Sequence, residues 1–505
     1  MKASTVGWCR RLGWCRTLGL ALLVVAWPGG VRADELSDDL STRRARLMER
    51  LGPDAMLVVL SAPTRTYSLD VDYEYRQDSN LYYLTGLTQE DTALVLMPGN
   101  ATRRELLFVK DRNASDEHWS GRSLSHAEAT ARTGIHTVLS YARFESFLGA
   151  ILSRVGLEHS VDAADAAHFF TALSEGRARL ALVLDKPGLR GPLSPTQELM
   201  RRLRERYAGF QPIDVTPFLT DLRLVKTPVE QKSLVRATDI SGEAQMAGMR
   251  AARPGAYEYE VKAAIEGIHR ARGAVSWAYP SIVGSGPNAT ILHYPHSDRQ
   301  MLAGDLLLVD AACNFQYMSP DITRTYPVSG TFTPVQKDIY SLVLRAQDEG
   351  MKVARSGSSL AAIHNRIVEV FKEGLLRLGL IADTSGEQYR MWFTHSAAHY
   401  IGIDVHDVGD RTRALQPGMS FVIEPGLYIR QAALDALPRT SANVALIEKI
   451  QPAVTKYTGI GIRIEDSFLL EPSGLRRLSS AVPRTIEEVE SFMRERGAAP
   501  STGAR

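Results

Sequence analysis

Cysteine is nearly absent from this chain. Of 505 residues three are cysteine. Cys9 and Cys15 lie within the first 33 residues, which leaves Cys313 alone in the remainder. A single thiol forms no internal disulfide and no cysteine-based zinc site, so neither a disulfide framework nor a zinc finger organises the fold. A membrane-spanning run is missing from the N-terminus too: the apolar stretch Leu18–Trp27 is too short to cross a bilayer. A surplus of positive charge is the third absence. The formal net charge of +2 rests on Lys2, Arg10, Arg11, Arg16 and Arg32, and beyond residue 33 there are 54 basic against 57 acidic residues. A nucleic-acid partner wants a basic face, and none is expected here.

What is present begins with residues 1–33, which read as a secretory signal. They carry a basic n-region, the short apolar core Leu18–Trp27, and Val31-Arg32-Ala33 as a small-x-small cleavage site. Export to a periplasm or the outside is expected, with no stable membrane insertion after cleavage. The chain is too long for one core, so at least two domains are expected. From 38 to 218 the pattern is mixed α/β. A charged helix is predicted at Leu40–Leu51, and strands at Ala55–Leu60, Leu81–Thr85, Ala93–Met97, Glu105–Val109 and Leu180–Leu184. His118, His126, His136, His159 and His168 are scattered through this part and form no constellation. From Glu495 onward the tail is rich in Gly, Ala, Pro and Ser, and residues 495–505 are expected to be disordered.

The stretch Gly304–Val328 is where chemistry first shows. The run Leu306–Val309 has the composition of a buried strand and ends on Asp310. A second run opens on Asp321. A hairpin turning near Phe315 and Gln316 would set Asp310 opposite Asp321, with Cβ atoms roughly 4.5–5.5 Å apart. Two carboxylates buried that close repel, and they either share a proton or hold a metal.

A repeat enlarges the pair. Thr227-Pro228-Val229-Glu230 is a capped helix start, running to about Ala252 and followed by a second helix, Tyr257–Arg272. Thr333-Pro334 starts another helix, broken at Ser356-Gly357. The next helix presents Leu360, Ile363, Ile367, Val370 and Phe371 on one face and stops near Gly379. His293-Tyr294 follows the first helix pair and His399-Tyr400 the second. Each is followed by a glycine-led strand ending on an acid, Gly304 to Asp310 and Gly418 to Glu424. A further acid comes after each, Asp321 and then Glu465. The pattern predicts a duplicated helix–helix–strands unit from about 225 to 475.

Folded face to face, the two halves gather Asp310, Asp321, Glu424 and Glu465, with His399 nearby. Four carboxylates carry −4, which two divalent ions balance. Oxygen ligands with one imidazole suit manganese and would also accept cobalt, iron or zinc. Two such ions roughly 3.5–4 Å apart can hold a bridging hydroxide at neutral pH. The expected reaction is amide or ester hydrolysis. His293, His395 and His406 are placed by sequence to donate to an oxyanion or pass a proton. Arg463, two residues before Glu465, is a candidate partner for a ligand carboxylate.

The segments VDAACNFQYMSPDITRT, HYIGIDVHDVG, PGMSFVIEPGLYI and GIGIRIED resemble those of the pita-bread metallopeptidases, and within them aminopeptidase P. YRQDSNLYYLTG and RLVKTPVEQK resemble the same family, so the likeness covers about 38 to 490. The resemblance implies an α/β (α+β) chain: an N-terminal creatinase/aminopeptidase P-like domain at 38–218, then a duplicated pita-bread catalytic domain at 225–490. It implies two manganese ions on Asp310, Asp321, His399, Glu424 and Glu465, with Asp321 and Glu465 bridging. It casts His293, His399, His406 and Glu424 in catalysis, and His395, Tyr428 and Arg463 around the proline that follows the scissile bond. The activity implied is removal of the N-terminal residue from peptides with proline second. The alternatives are a prolidase acting on Xaa-Pro dipeptides, or a non-catalytic binding protein of the same fold. A homo-oligomer is compatible with the sequence. Two local departures stand out: Ser396-Ala397-Ala398 replaces a glycine-bearing spacer before His399, and Arg430–Thr458 is a long connection between the two glutamate motifs.

Overall fold

The computed structural model describes residues 33–184 and 191–495. The signal and tail expectations therefore lie outside the described residues, apart from their boundary residues Ala33 and Glu495. No described helix is long and apolar enough to cross a membrane.

The N-terminal unit is a mixed six-stranded sheet. Its order is Thr137–Ser140, Glu105–Val109, Ala93–Leu96, Ala55–Leu60, Ala178–Leu182, Phe210–Asp214. The Ala55–Leu60 strand runs antiparallel to Ala93–Leu96 and parallel to Ala178–Leu182. Its apolar run is buried on both faces, as a central strand requires. The first helix begins at Ala33 rather than at Leu40. One expected strand is a helix instead: Ser79–Thr85 starts at Asp78, whose Oδ1 accepts from the amides of Asn80 and Leu81 at 2.9 Å, and stops at the left-handed Gly86. Its tyrosines suggest a strand, but the cap residues on either side decide for helix. The five scattered histidines of this unit are all exposed.

The second unit is built twice. In the first half, helices Pro228–Ala251 and Glu258–Ala271 back a sheet ordered Ile282–Ser285, Leu306–Asp310, Thr323–Pro327. In the second, helices Pro334–Val353 and Leu360–Arg377 back Ser420–Ile423, Asp466–Glu471, Gly474–Arg477. Thr227 and Thr333 cap the leading helices in capping boxes, with proline next, as the sequence predicts. The same close packing recurs: a Cβ added at Gly248 would stand 2.8 Å from Ile265 Cδ1, and one at Gly350 2.9 Å from Ile367 Cδ1.

A buried glutamine does the same task in each half. Gln245 Nε2 donates to the carbonyls of Ala311 (3.1 Å) and Ile322 (2.8 Å), which adjoin Asp310 and Asp321. Gln347 Nε2 donates to the carbonyls of Ile423 (3.0 Å) and Ile464 (3.2 Å), which adjoin Glu424 and Glu465. Each helix thus ties together the two acid-bearing segments of its own half. Arg324 joins the halves: wholly buried, it donates to Asp466 Oδ1 at 2.7 Å and to the Glu465 carbonyl at 2.6 Å.

The hairpin after Asp310 turns at Gln316-Tyr317, one residue beyond the expected Phe315 and Gln316, with both residues at positive φ (49° and 61°). The N-terminal unit clamps this turn. Tyr82 stacks on Tyr317 at 3.6 Å between centroids, and the Gln77 amide donates to the Tyr317 hydroxyl at 2.9 Å. The register differs from the expected one: Asp310 pairs with Thr323, and Asp321 precedes the strand. Between them Cys313–Asn314 leaves to pair with Ser276–Trp277, which interrupts the ladder. A slip of two residues keeps the same face, so both acids still point the same way.

Candidate metal centre

Asp310 ends its strand and Asp321 lies just before the next, Glu424 follows Ser420–Ile423, and Glu465 sits between Gly461–Arg463 and Asp466–Glu471. The segment carrying His399 runs beside Ser420–Ile423: the Val422 amide donates to the His399 carbonyl at 2.9 Å and the Glu424 amide to the Ala397 carbonyl at 2.8 Å. The Ala397 amide donates to His364 Nδ1 at 3.2 Å, which fixes the glycine-free spacer from the helix behind it.

These supports bring all five predicted residues together. Ligand atoms of Asp310, Asp321 and Glu465 lie within 4.8 Å of one another, as do those of His399, Glu424 and Glu465. His399 Nε2 stands 3.6 Å from Asp321, 3.7 Å from Glu424 and 3.9 Å from Glu465. Its Nδ1 is 3.0 Å from the Tyr400 carbonyl, which can only accept, so Nδ1 carries the hydrogen and the Nε2 lone pair faces the carboxylates.

Electrostatics test whether cations fit. Asp310 Oδ1 and Glu465 Oε1 are buried with no hydrogen-bond partner. Burial, followed by the repulsion of Asp310, pushes the Asp321 carboxyl well above its ordinary range. Burial and Asp321 do the same to Glu465. Burial and Glu465 raise Glu424 to about 8. Carboxylates so crowded cannot all ionise without positive charge among them. The expected balance of −4 needs one correction, because Arg463 reaches Asp310 Oδ2 and brings the ionised cluster to −3. A single divalent ion still leaves it negative. The donor set, oxygen-rich with one imidazole, fits two hard divalent cations.

The other predicted residues divide into two groups. Arg463 Nη1 donates to the Tyr428 hydroxyl (2.7 Å), Tyr428 donates to His395 Nε2 (2.9 Å), and His395 Nδ1 donates to the Ser396 carbonyl (2.8 Å). Burial, then Arg463, lowers His395 to about 3, so it stays neutral along this chain. His293 and His406 instead line a cavity of 410 Å³ with Tyr279, Ile282, Tyr294, Pro295, Asp310, Asp321 and Val405. His395, Tyr428 and Arg463 do not line that cavity. Sequence reasoning passed over two site residues. Tyr279, from an irregular segment, donates its hydroxyl to Asp321 Oδ1. Thr323 Oγ1 donates to Glu465 Oε2 at 2.7 Å.

Residues 232–472 match the Metallopeptidase family M24, and residues 40–158 match the Aminopeptidase P, N-terminal domain. The Xaa-Pro aminopeptidase of Escherichia coli is 32% identical over 466 residues, covering 90% of this chain and 97% of that protein. The chain belongs to the aminopeptidase P family of M24 metallopeptidases. Human Xaa-Pro aminopeptidase 3 is 28% identical over 483 residues, 92% of this chain and 87% of the relative. The structure of E. coli aminopeptidase P with the inhibitor Pro-Leu superposes with a TM-score of 0.76 at 30% identity, covering 93% of this chain and all of that one. Aminopeptidase PepP of Pseudomonas aeruginosa gives the same TM-score and coverage. As a family member the chain is a hydrolase with the pita-bread catalytic fold behind an aminopeptidase P-type N-terminal domain, and divalent metal ions belong to its chemistry.

Proposed function

We propose that this protein removes the N-terminal residue from peptides with proline in the second position. The observation that carries the reading is the convergence of Asp310, Asp321, His399, Glu424 and Glu465 from both halves, with two buried carboxylate oxygens that have no hydrogen-bond partner. A non-catalytic member of the fold would have no need to keep five such residues together. The relatives that span nearly the whole chain, named Xaa-Pro aminopeptidases, support the aminopeptidase over the dipeptidase.

The five residues would hold two divalent ions, and manganese is the proposed metal. When bound, such ions supply Lewis acidity to a carbonyl and acidify water. The chain's own residues do the rest. His399 presents its Nε2 because its Nδ1–H is held by Tyr400. Glu424, between His399 Nε2 and His395 Nδ1, is placed to take a proton from an attacking water and return it to the departing nitrogen. Cleavage before proline releases a secondary amine, which must be protonated. His293 and His406, on the cavity wall, are placed to donate to the carbonyl oxygen. Neutral His395 and Tyr428, hydrogen-bonded in a chain to the Arg463 that pairs with Asp310, form a wall for the pyrrolidine ring. Export through residues 1–33 is part of the same proposal and is supported by their signal-like sequence.

The test is cleavage by the purified, manganese-loaded chain of Xaa-Pro-Yaa, Xaa-Ala-Yaa and Xaa-Pro substrates, together with elemental analysis. Release of Xaa from Xaa-Pro-Yaa, with two ions per chain, is expected. Strong preference for the Xaa-Pro dipeptide, or equal cleavage before alanine, would overturn the reading.

A further inference from the structure

His406 stands on a segment with little structure of its own. Residues 403–410 form neither helix nor strand. The ring is exposed and meets His399 edge-on at 4.4 Å between centroids. What fixes this segment is the residue next to the histidine. The Asp407 side chain is 1% exposed; Arg223 Nη2 donates to one of its oxygens at 2.6 Å and Lys226 Nζ to the other at 2.9 Å. Both cations are themselves buried, at 3% and 1% exposure. They come from the connection between the two matched domains, outside either one.

The cations are anchored in turn. The Lys226 amide donates to the Gly418 carbonyl at 2.8 Å, at the start of the segment leading to Glu424. Arg223 also donates to Asp404 Oδ2 at 2.7 Å and to Asn80 Oδ1 at 2.9 Å. From the N-terminal unit, Arg76 donates to the Ile403 carbonyl at 3.0 Å and Ser79 to Asp404 Oδ1 at 2.8 Å. Asp404 and Asp407 thus bracket His406, and apart from Lys226, at the very start of the catalytic unit, the side chains that hold them precede the repeat. Gly402 makes room for the arrangement: a Cβ there would fall 2.1 Å from Asp407 Oδ2 and 2.8 Å from Lys226 Cε. Burial alone would raise the Asp407 pKa, yet Lys226 and Arg223 hold it below the usual carboxylate range, so the clamp is ionic at neutral pH.

We propose that Asp407, gripped by Arg223 and Lys226, is the positioning residue for His406, and that the N-terminal unit and its linker thereby set the geometry of the cleft. A buried, doubly paired carboxylate holds its backbone to a fraction of an ångström, and the adjoining residue inherits that precision. The proposal rests on the role given to His406 above.

A double-mutant cycle on the full, metal-loaded chain tests it, using His406→Ala, Asp407→Asn and the pair, with kcat and KM on a proline-second peptide, bound metal and Tm for each. Asp407→Asn is expected to lower kcat about 10- to 100-fold, to leave KM within about threefold, and to leave metal content unchanged. In the His406→Ala background it is expected to cost less than about twofold more, because both changes remove one function. Additive losses, or an Asp407→Asn enzyme with wild-type kcat beside an impaired His406→Ala, would overturn the inference and leave the reaction assignment standing. A fully active His406→Ala would instead remove the role assigned to His406, and the inference with it. Two buried cations facing an amide can prevent folding. In that event Asp407→Asn is combined with Lys226→Met, which leaves Arg223 paired with Asp404, and the same cycle is read.

Discussion

Chelation should make this protein less stable as pH rises, the reverse of ordinary acid denaturation. Without cations Glu424 is held by burial and by Glu465 at a pKa of about 8, against 4.5 for the unconstrained side chain. The folded state resists ionising this group, whereas the unfolded state does not. The native advantage is therefore complete below about pH 4.5, declines as pH climbs, and is gone once pH passes about 8. A difference of 3.5 pH units at 1.36 kcal/mol each comes to about 5 kcal/mol. Asp321 and Glu465 are raised as well and push in the same direction. For a catalytic unit of this size, a loss of that order lowers its melting temperature by on the order of 10 °C. The measurement is thermal unfolding of the chelated protein from pH 5 to pH 8.5, beside the manganese-loaded protein and chelated Glu424→Gln. The chelated protein's midpoint should fall across the range, the gap to the loaded protein should widen, and Glu424→Gln should fall less steeply. A chelated midpoint that is flat or rises with pH would show that the carboxylates are not crowded as described.

Other expectations follow from the same geometry. Asp321→Asn should reduce turnover at least about 1,000-fold and lower bound metal while the far-ultraviolet circular dichroism stays native; near-wild-type turnover would remove Asp321 from the centre. His395→Ala should break the chain from Arg463 through Tyr428 and weaken discrimination for proline over alanine in the second position more than it lowers metal content, as competition between the two peptides would show. Gly461→Ala should destabilise the protein by more than about 3 kcal/mol, because the new Cβ would fall 2.0 Å from the Ala289 carbonyl oxygen, where backbone meets backbone. Denaturant titration reads that loss. Cys313, wholly buried with burial pushing its thiol up to about 11, should resist thiol reagents in the native protein and react on unfolding.

The sequence was most informative where local chemistry decides structure. Thr227 and Thr333 announce their helices because a cap and a proline act within one turn. The five clustered residues were legible because a repeat of acids is itself a spatial statement once two halves face each other. Legibility failed where the deciding contact is distant or slight. The tyrosines of Ser79–Thr85 suggest a strand, while one carboxylate oxygen at Asp78 and one left-handed glycine make a helix. The pairing of Asp310 with Thr323 depends on Cys313–Asn314 leaving for Ser276–Trp277, some 37 residues earlier in the chain. Arg223 and Asp407 lie 184 residues apart, and nothing local to either marks them as a pair.

The paired glutamines carry a consequence for how the protein comes into being. Gln245 finds both partners within the first half, whereas Gln347 must wait for Ile464, 117 residues further along the chain. During synthesis the tie for Asp310 and Asp321 can therefore close before the tie that joins Glu424 to Glu465, which needs a residue added later. A chain that stops short of Glu465 would lack one of the five gathered residues and is expected to cleave no peptide.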